Sequence, residues 1–122
     1  MKKIYSLLIL LAACVLTGTQ AQAHAFLDHA RPRVGSTVAT SPPQVKIWFT
    51  EELEGAFSRI EVFDAKGAEV DRKDSKIDPA NGAIMTVSLP PLGPGEYQVK
   101  WSAVATDTHP TTGTFIFTVK SP

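Results

Sequence analysis

Turn-forming clusters divide this sequence into short pieces, and that division limits the folds open to it. Arg31-Pro32, Ser41-Pro42-Pro43, Lys66-Gly67, Asp78-Pro79-Ala80-Asn81-Gly82, Pro90-Pro91-Leu92-Gly93-Pro94-Gly95 and Pro110 mark the breaks. Proline cannot donate to a central ladder, and glycine tolerates tight turns, so regular elements must begin and end between these points. The intervening runs alternate in hydropathy and are rich in β-branched and aromatic residues, as strands with one buried face are. Val45, Ile47 and Phe49 share one face, as do Tyr97, Val99, Trp101 and Ala103. In Thr114 to Lys120 the inward set is Phe115, Phe117 and Val119, with Thr114, Thr118 and Lys120 opposite. Weaker strand candidates are Phe26 to Asp28, Val34 to Val38, Arg59 to Phe63, Glu69 to Arg72 and Ile84 to Leu89. The helix-like stretch Thr50 to Phe57 is short and contains Gly55, which predicts a loop or a single turn. The expectation is an all-β domain of seven or eight strands, a sandwich or barrel.

The N-terminus carries a processing signal rather than fold. Lys2 and Lys3 precede the apolar run Ile4 to Leu16, and Ala21-Gln22-Ala23 places small residues where a signal peptidase reads them. Residues 1–23 are thus expected to be a cleaved secretory signal, with a single domain over 24–122 exposed outside the cytoplasm. The apolar run is too short to span a bilayer, and no later stretch approaches that length. Leu11-Ala12-Ala13-Cys14 offers an alternative, a lipoprotein signal in which Cys14 becomes the lipidated first residue. Cleavage after Ala23 instead removes Cys14, the chain's one cysteine, and with it any disulfide, thiolate zinc site or blue-copper site.

Charge narrows the partners. The 122-residue chain has twelve basic and twelve acidic residues, and losing Lys2 and Lys3 leaves ten against twelve, near −2. Such a balance provides no basic footprint for nucleic acid and no polybasic cluster for anionic lipid. The mature chain is expected not to insert into a membrane, and to be a monomer because no large apolar stripe is left exposed.

Three histidines, His24, His29 and His109, hold most of the possible chemistry. His24 directly follows the expected cleavage site. A chain-terminal histidine offers its α-amine and its ring Nδ1 together, closing a six-membered chelate ring once the amine gives up its proton. In Asp107-Thr108-His109, positions i and i+2 project to the same side of an extended backbone, so Asp107 and His109 can converge. Together with His24 they make three nitrogens and one carboxylate oxygen. A tetragonal set of that kind favours Cu(II), whereas Zn(II) prefers tetrahedral sites and is the weaker occupant. Structural roles are equally open on these residues alone. A histidine can follow a cleavage site by accident, and Asp-x-His is often a turn hydrogen bond. His29 is expected at a surface or strand edge, Trp48 and Trp101 as packing residues, and Glu51, Glu52 and Glu54 in a solvated loop.

Order and spacing add more. His24-Ala25-Phe26-Leu27 is followed by Pro32-x-x-Gly35-Ser36, then Val45-x-Ile47-x-Phe49-Thr50-Glu51-Glu52-Leu53 and Gly95-x-Tyr97-x-Val99-x-Trp101. The chain closes on Asp107-Thr108-His109-Pro110-x-Thr112-Gly113-x-Phe115-x-Phe117-x-Val119. The whole of His24 to Lys120 resembles the CopC family of periplasmic copper-binding (copper resistance) proteins, including its YobA-like members. The resemblance implies a Greek-key sandwich of immunoglobulin-like or cupredoxin-like shape. It also implies a histidine brace, in which one Cu(II) per mature chain is held by the amine and ring of His24, the ring of His109 and the carboxylate of Asp107. Glu51 matches the family's loop glutamate and is expected beside the metal or as a weak axial contact.

One departure limits the carry-over. Some members hold Cu(I) in a methionine-rich loop, but here that stretch is Asp64-Ala65-Lys66-Gly67-Ala68, and Met85 is the one methionine after residue 23. No Cu(I) site is expected. The resemblance implies a periplasmic copper carrier or buffer in copper homeostasis or resistance, with a CopD-like inner-membrane protein as a possible partner, and not an enzyme. The main rival is a copper-dependent oxidative enzyme using the same brace, which needs an open coordination position that Asp107 would fill. A metal-free exported structural sandwich is the third alternative.

Overall fold

The computed structural model describes residues 24–106 and 109–122. The expected signal segment with Cys14, and the expected ligand Asp107, lie outside the described residues. Eight strands are found among the described residues: β1 (Leu27–Arg31), β2 (Thr37–Val38), β3 (Gln44–Phe49), β4 (Arg59–Phe63), β5 (Lys76–Asp78), β6 (Asn81–Ser88), β7 (Gly95–Val104) and β8 (Pro110–Val119). They form two four-stranded sheets, ordered β1-β3-β6-β5 and β2-β8-β7-β4. This is the expected all-β sandwich. The chain changes sheets repeatedly, and sequential neighbours pair directly only in the hairpins β5–β6 and β7–β8.

Period-two alternation produces the core. Val45 and Ile47 are fully buried on β3, Val62 on β4, Met85 on β6, Val99 on β7 and Phe117 on β8, all at 0% exposure. Each side chain of this kind contributes roughly 1.5–3 kcal/mol by leaving water. The strongest sequence stripes are thus the inner faces of the two sheets. Thr50 to Phe57 forms a loop ending in one 3-10 turn, Gly55–Phe57, as expected from its length and Gly55.

One expectation needs correction. Glu69 to Arg72 alternates like a strand, yet only Glu69 forms an isolated bridge, to Phe63. The carboxylate of buried Asp71 takes the place of a strand partner, accepting the Val62 N–H at 2.7 Å and the Lys73 N–H at 3.1 Å. Lys73 then turns into the left-handed region at φ 58°, and the chain reaches the other sheet, where Lys76–Asp78 pairs with β6 instead. Trp48 packs on the outer face of β3, where the ring of His29 stacks on it at 4.3 Å. Trp101 does line the core, at 8% exposure.

Candidate metal centre

One end of the sandwich gathers the segment before β1, the loop after β3 and the turn between β7 and β8. Thr50 ties the first two together. Its Oγ1 accepts the Phe26 N–H at 3.0 Å and donates to the His24 carbonyl at 3.3 Å, while its own N–H donates to the Phe26 carbonyl at 2.9 Å. Ala25 is fully buried, and its carbonyl accepts from the Thr111 hydroxyl of β8. The His24–Ala25 segment is therefore held by two threonines, Thr50 of the loop after β3 and Thr111 of β8.

These anchors bring His24 to His109. The two imidazoles lie 6.4 Å apart, centroid to centroid, with planes inclined by 30°. His109 is exposed and immediately precedes Pro110, the first residue of β8. Phe26, itself 55% exposed, meets the His24 ring edge-on at 6.2 Å. The His24 Nδ1 is buried and has no hydrogen-bond partner among the described residues. A buried ring nitrogen without a partner loses hydration with nothing in return, a cost of about 1–3 kcal/mol. A structural histidine would be expected to satisfy it.

The other sequence candidates fall as follows. Asp107 lies outside the described residues, and no group of three or more His, Cys, Asp or Glu side chains forms among those described. Glu51 is exposed in the loop directly after Thr50. His29 sits elsewhere, its Nδ1 2.7 Å from Asp28 Oδ2 on the outer face of the β1–β3 pair. Met85 is buried between the sheets and presents no sulfur at the surface. Thr50 and Thr111 were not legible as site residues from residue type. Strand parity could have singled out Thr111, which shares the inward side of β8 with Phe115 and Phe117 although it is polar.

Comparison with known proteins points one way. Residues 27–120 match the family model described as the CopC domain. The chain is 33% identical over 121 residues to copper resistance protein C of Pseudomonas syringae pv. tomato, covering 94% of this chain and 95% of that protein. It is 34% identical over 113 residues to the copper transport protein CutJ of Bacillus subtilis, a match that takes in 92% of this chain but only 21% of CutJ. The crystal structure of CopC from Methylosinus trichosporium OB3b superposes with a TM-score of 0.75 at 34% identity, covering 80% of this chain and 94% of that one.

Proposed function

Because the chain belongs to the CopC family, we propose that it is a periplasmic Cu(II) carrier or buffer that takes one copper ion at its His24 end. The ligands in this reading are the α-amine and Nδ1 of His24, the ring of His109 and the carboxylate of Asp107, with Glu51 near the metal. The observation that carries it is a buried His24 Nδ1 without a partner, on a ring whose centre lies 6.4 Å from that of a second imidazole, His109. An ion about 2.0 Å from a ring nitrogen stands about 3.1 Å from that ring's centre, so two rings on opposite sides of one ion would be about 6.2 Å apart. The observed 6.4 Å accommodates that arrangement.

Cleavage after Ala23 is part of the proposal. It frees the His24 amine to close the chelate ring with Nδ1, which a peptide bond at that nitrogen forbids. The donor set also supports cargo handling over catalysis. Asp107 as a ligand would add a hard carboxylate oxygen to the three nitrogens, a donor set that favours Cu(II) over Cu(I) and so disfavours redox cycling. The core position of Met85 supports the absence of a Cu(I) site. Among the described residues no helix is long and apolar enough to cross a membrane. A CopD-like inner-membrane protein is the recipient of the copper in this reading.

The test begins with intact mass of the exported protein, expected to start at His24. Cu(II) is then titrated against a competing chelator, with and without one extra residue ahead of His24. Tight one-to-one binding should be lost on extension, and by His109→Ala, by at least ~100-fold. It should also weaken steeply below about pH 5, where protons compete for the nitrogen ligands. Equal affinity with the extension in place would exclude the brace.

A further inference from the structure

The outer face of the sheet containing β1 and β3 has a charge pattern that the copper site does not use. β1 and β3 pair so that Arg31 lies directly opposite Lys46. Side chains opposed in this way are about 5 Å apart at Cβ, and like charges there repel. The same ladder row continues through Thr86 of β6 to a third cation, Lys76. Among the described residues, carboxylates pair with His29, Arg59 and Lys73, and none pairs with Arg31, Arg33 or Lys46. Asp28 of β1 is engaged by His29, while Glu51, Glu52 and Glu54 lie in the loop after β3 and Glu61 lies on β4 of the opposite sheet. Asp74, ahead of β5, has its carboxyl lowered in part by the charge of Lys76.

Arg31, Arg33 and Lys46 all line one cleft of about 770 Å³. Its walls include Pro32 and Pro43, whose rings hold their shape without losing rotamer freedom on binding. Trp48 closes one side, its ring held by His29 and by the Lys46 ammonium 4.8 Å from its centre. The volume falls in the range of small-molecule sites, and convergent cations beside an aromatic wall are what such sites use to fix an anionic ligand.

We propose that this cleft binds a small organic polyanion, one with two or more carboxylate or phosphate groups, on Arg31, Arg33 and Lys46. The ligand removes the repulsion between Arg31 and Lys46 and places its carbon skeleton against Trp48. Guanidinium groups take carboxylate or phosphate bidentately, and the ammonium supplies a point charge beside them.

The test uses metal-free protein at low ionic strength, with citrate and fructose 1,6-bisphosphate as probes of the two anion chemistries. Calorimetric titration should give saturable one-to-one binding of at least one probe, weakened by added NaCl. Arg31→Gln combined with Lys46→Gln should weaken it at least ~10-fold, and Arg33→Gln should do so separately. The probe should raise the thermal midpoint of the native protein and shift that of the double variant less at the same concentration. Without ligand the double variant loses both the Arg31–Lys46 repulsion and the Lys46 contact with Trp48, so its own unliganded midpoint is the reference for the shift. Absence of saturable binding, or equal binding by the double variant, would overturn the proposal. So would binding of a glutamate hexapeptide with neither small probe bound, which would make the face a docking surface for acidic protein segments.

Discussion

Gly113 of β8 lies directly opposite Trp101 of β7, and the indole occupies the space a side chain at 113 would need. A β-carbon built on Gly113 would stand 2.7 Å from the Trp101 Nε1 and nearer still to the adjacent ring carbons. Trp101 also packs edge-on against Phe49 at 5.3 Å, so it cannot retreat without disturbing the core. Gly113→Ala should destabilise the protein by about 1–3 kcal/mol, the usual cost of overpacking. Thermal or denaturant unfolding would show it, and an unchanged midpoint would mean the indole has another place to go.

The two threonines that anchor His24 should matter to copper without touching it. Thr50→Val keeps the shape but removes the acceptor for the Phe26 N–H and the donor to the His24 carbonyl. Thr111→Val removes the hydroxyl that holds the Ala25 carbonyl. Each should cost about 1 kcal/mol of stability and about 10-fold in Cu(II) affinity. Competition titration measures the second quantity, and affinities equal to the native protein's would show that His24 is held by other means.

Asp71 is the replacement for a strand that the chain does not form. Asp71→Ala leaves the Val62 and Lys73 N–H groups without their acceptor in a buried setting. The expected cost is about 2–3 kcal/mol. Amide exchange at Val62 should accelerate in the variant well beyond the global loss of stability.

Acid should act on Glu69 and Asp74 in opposite senses. Burial foremost, then the hydrogen bond with Glu61 and the charge of Asp71, raise the Glu69 carboxyl above its ordinary 4.5. The folded state therefore keeps this proton longer than the unfolded one. Stability from Glu69 is full below 4.5 and is lost as pH rises through the raised value. Glu69→Gln should stabilise the protein at pH 7 and make no difference at pH 3. Asp74 is lowered from 3.8, first by hydrogen bonding to Ser88, so its contribution is present above 3.8 and disappears as pH falls. Asp74→Asn should destabilise at pH 7 and converge with the native protein at low pH. Unfolding curves at the two pH values separate the cases.

The inner faces of β3, β7 and β8 were readable because alternation of Val, Ile, Phe and Trp leaves one burial pattern available. His24 and His109 were readable as candidates from a cleavage site and an Asp-x-His spacing, and the fold brings their rings to 6.4 Å. The segment around Asp71 misled because local alternation carries no information about a side chain replacing a ladder partner. Parity puts Trp48 opposite Val45, Ile47 and Phe49, but that His29 covers its ring depends on the β1–β3 register. The Arg31–Lys46 opposition was invisible, since it depends on the register between strands that the sequence does not pair by itself.

The hydrogen bond from Thr111 to Ala25 joins positions 86 apart in the chain. β2 similarly lies parallel to β8, so the last strand is held on one side by the first part of the chain and on the other by β7. Contacts so distant in sequence form late, because closing the intervening loop costs entropy before any bond rewards it. The two histidines can meet only once β8 has docked. A chain stalled or truncated before that strand would display His24 with no second ring to face it. Capture of a metal between these imidazoles is therefore a record that the final strand has arrived, and the rate at which binding competence appears during refolding should follow the slowest step of assembly.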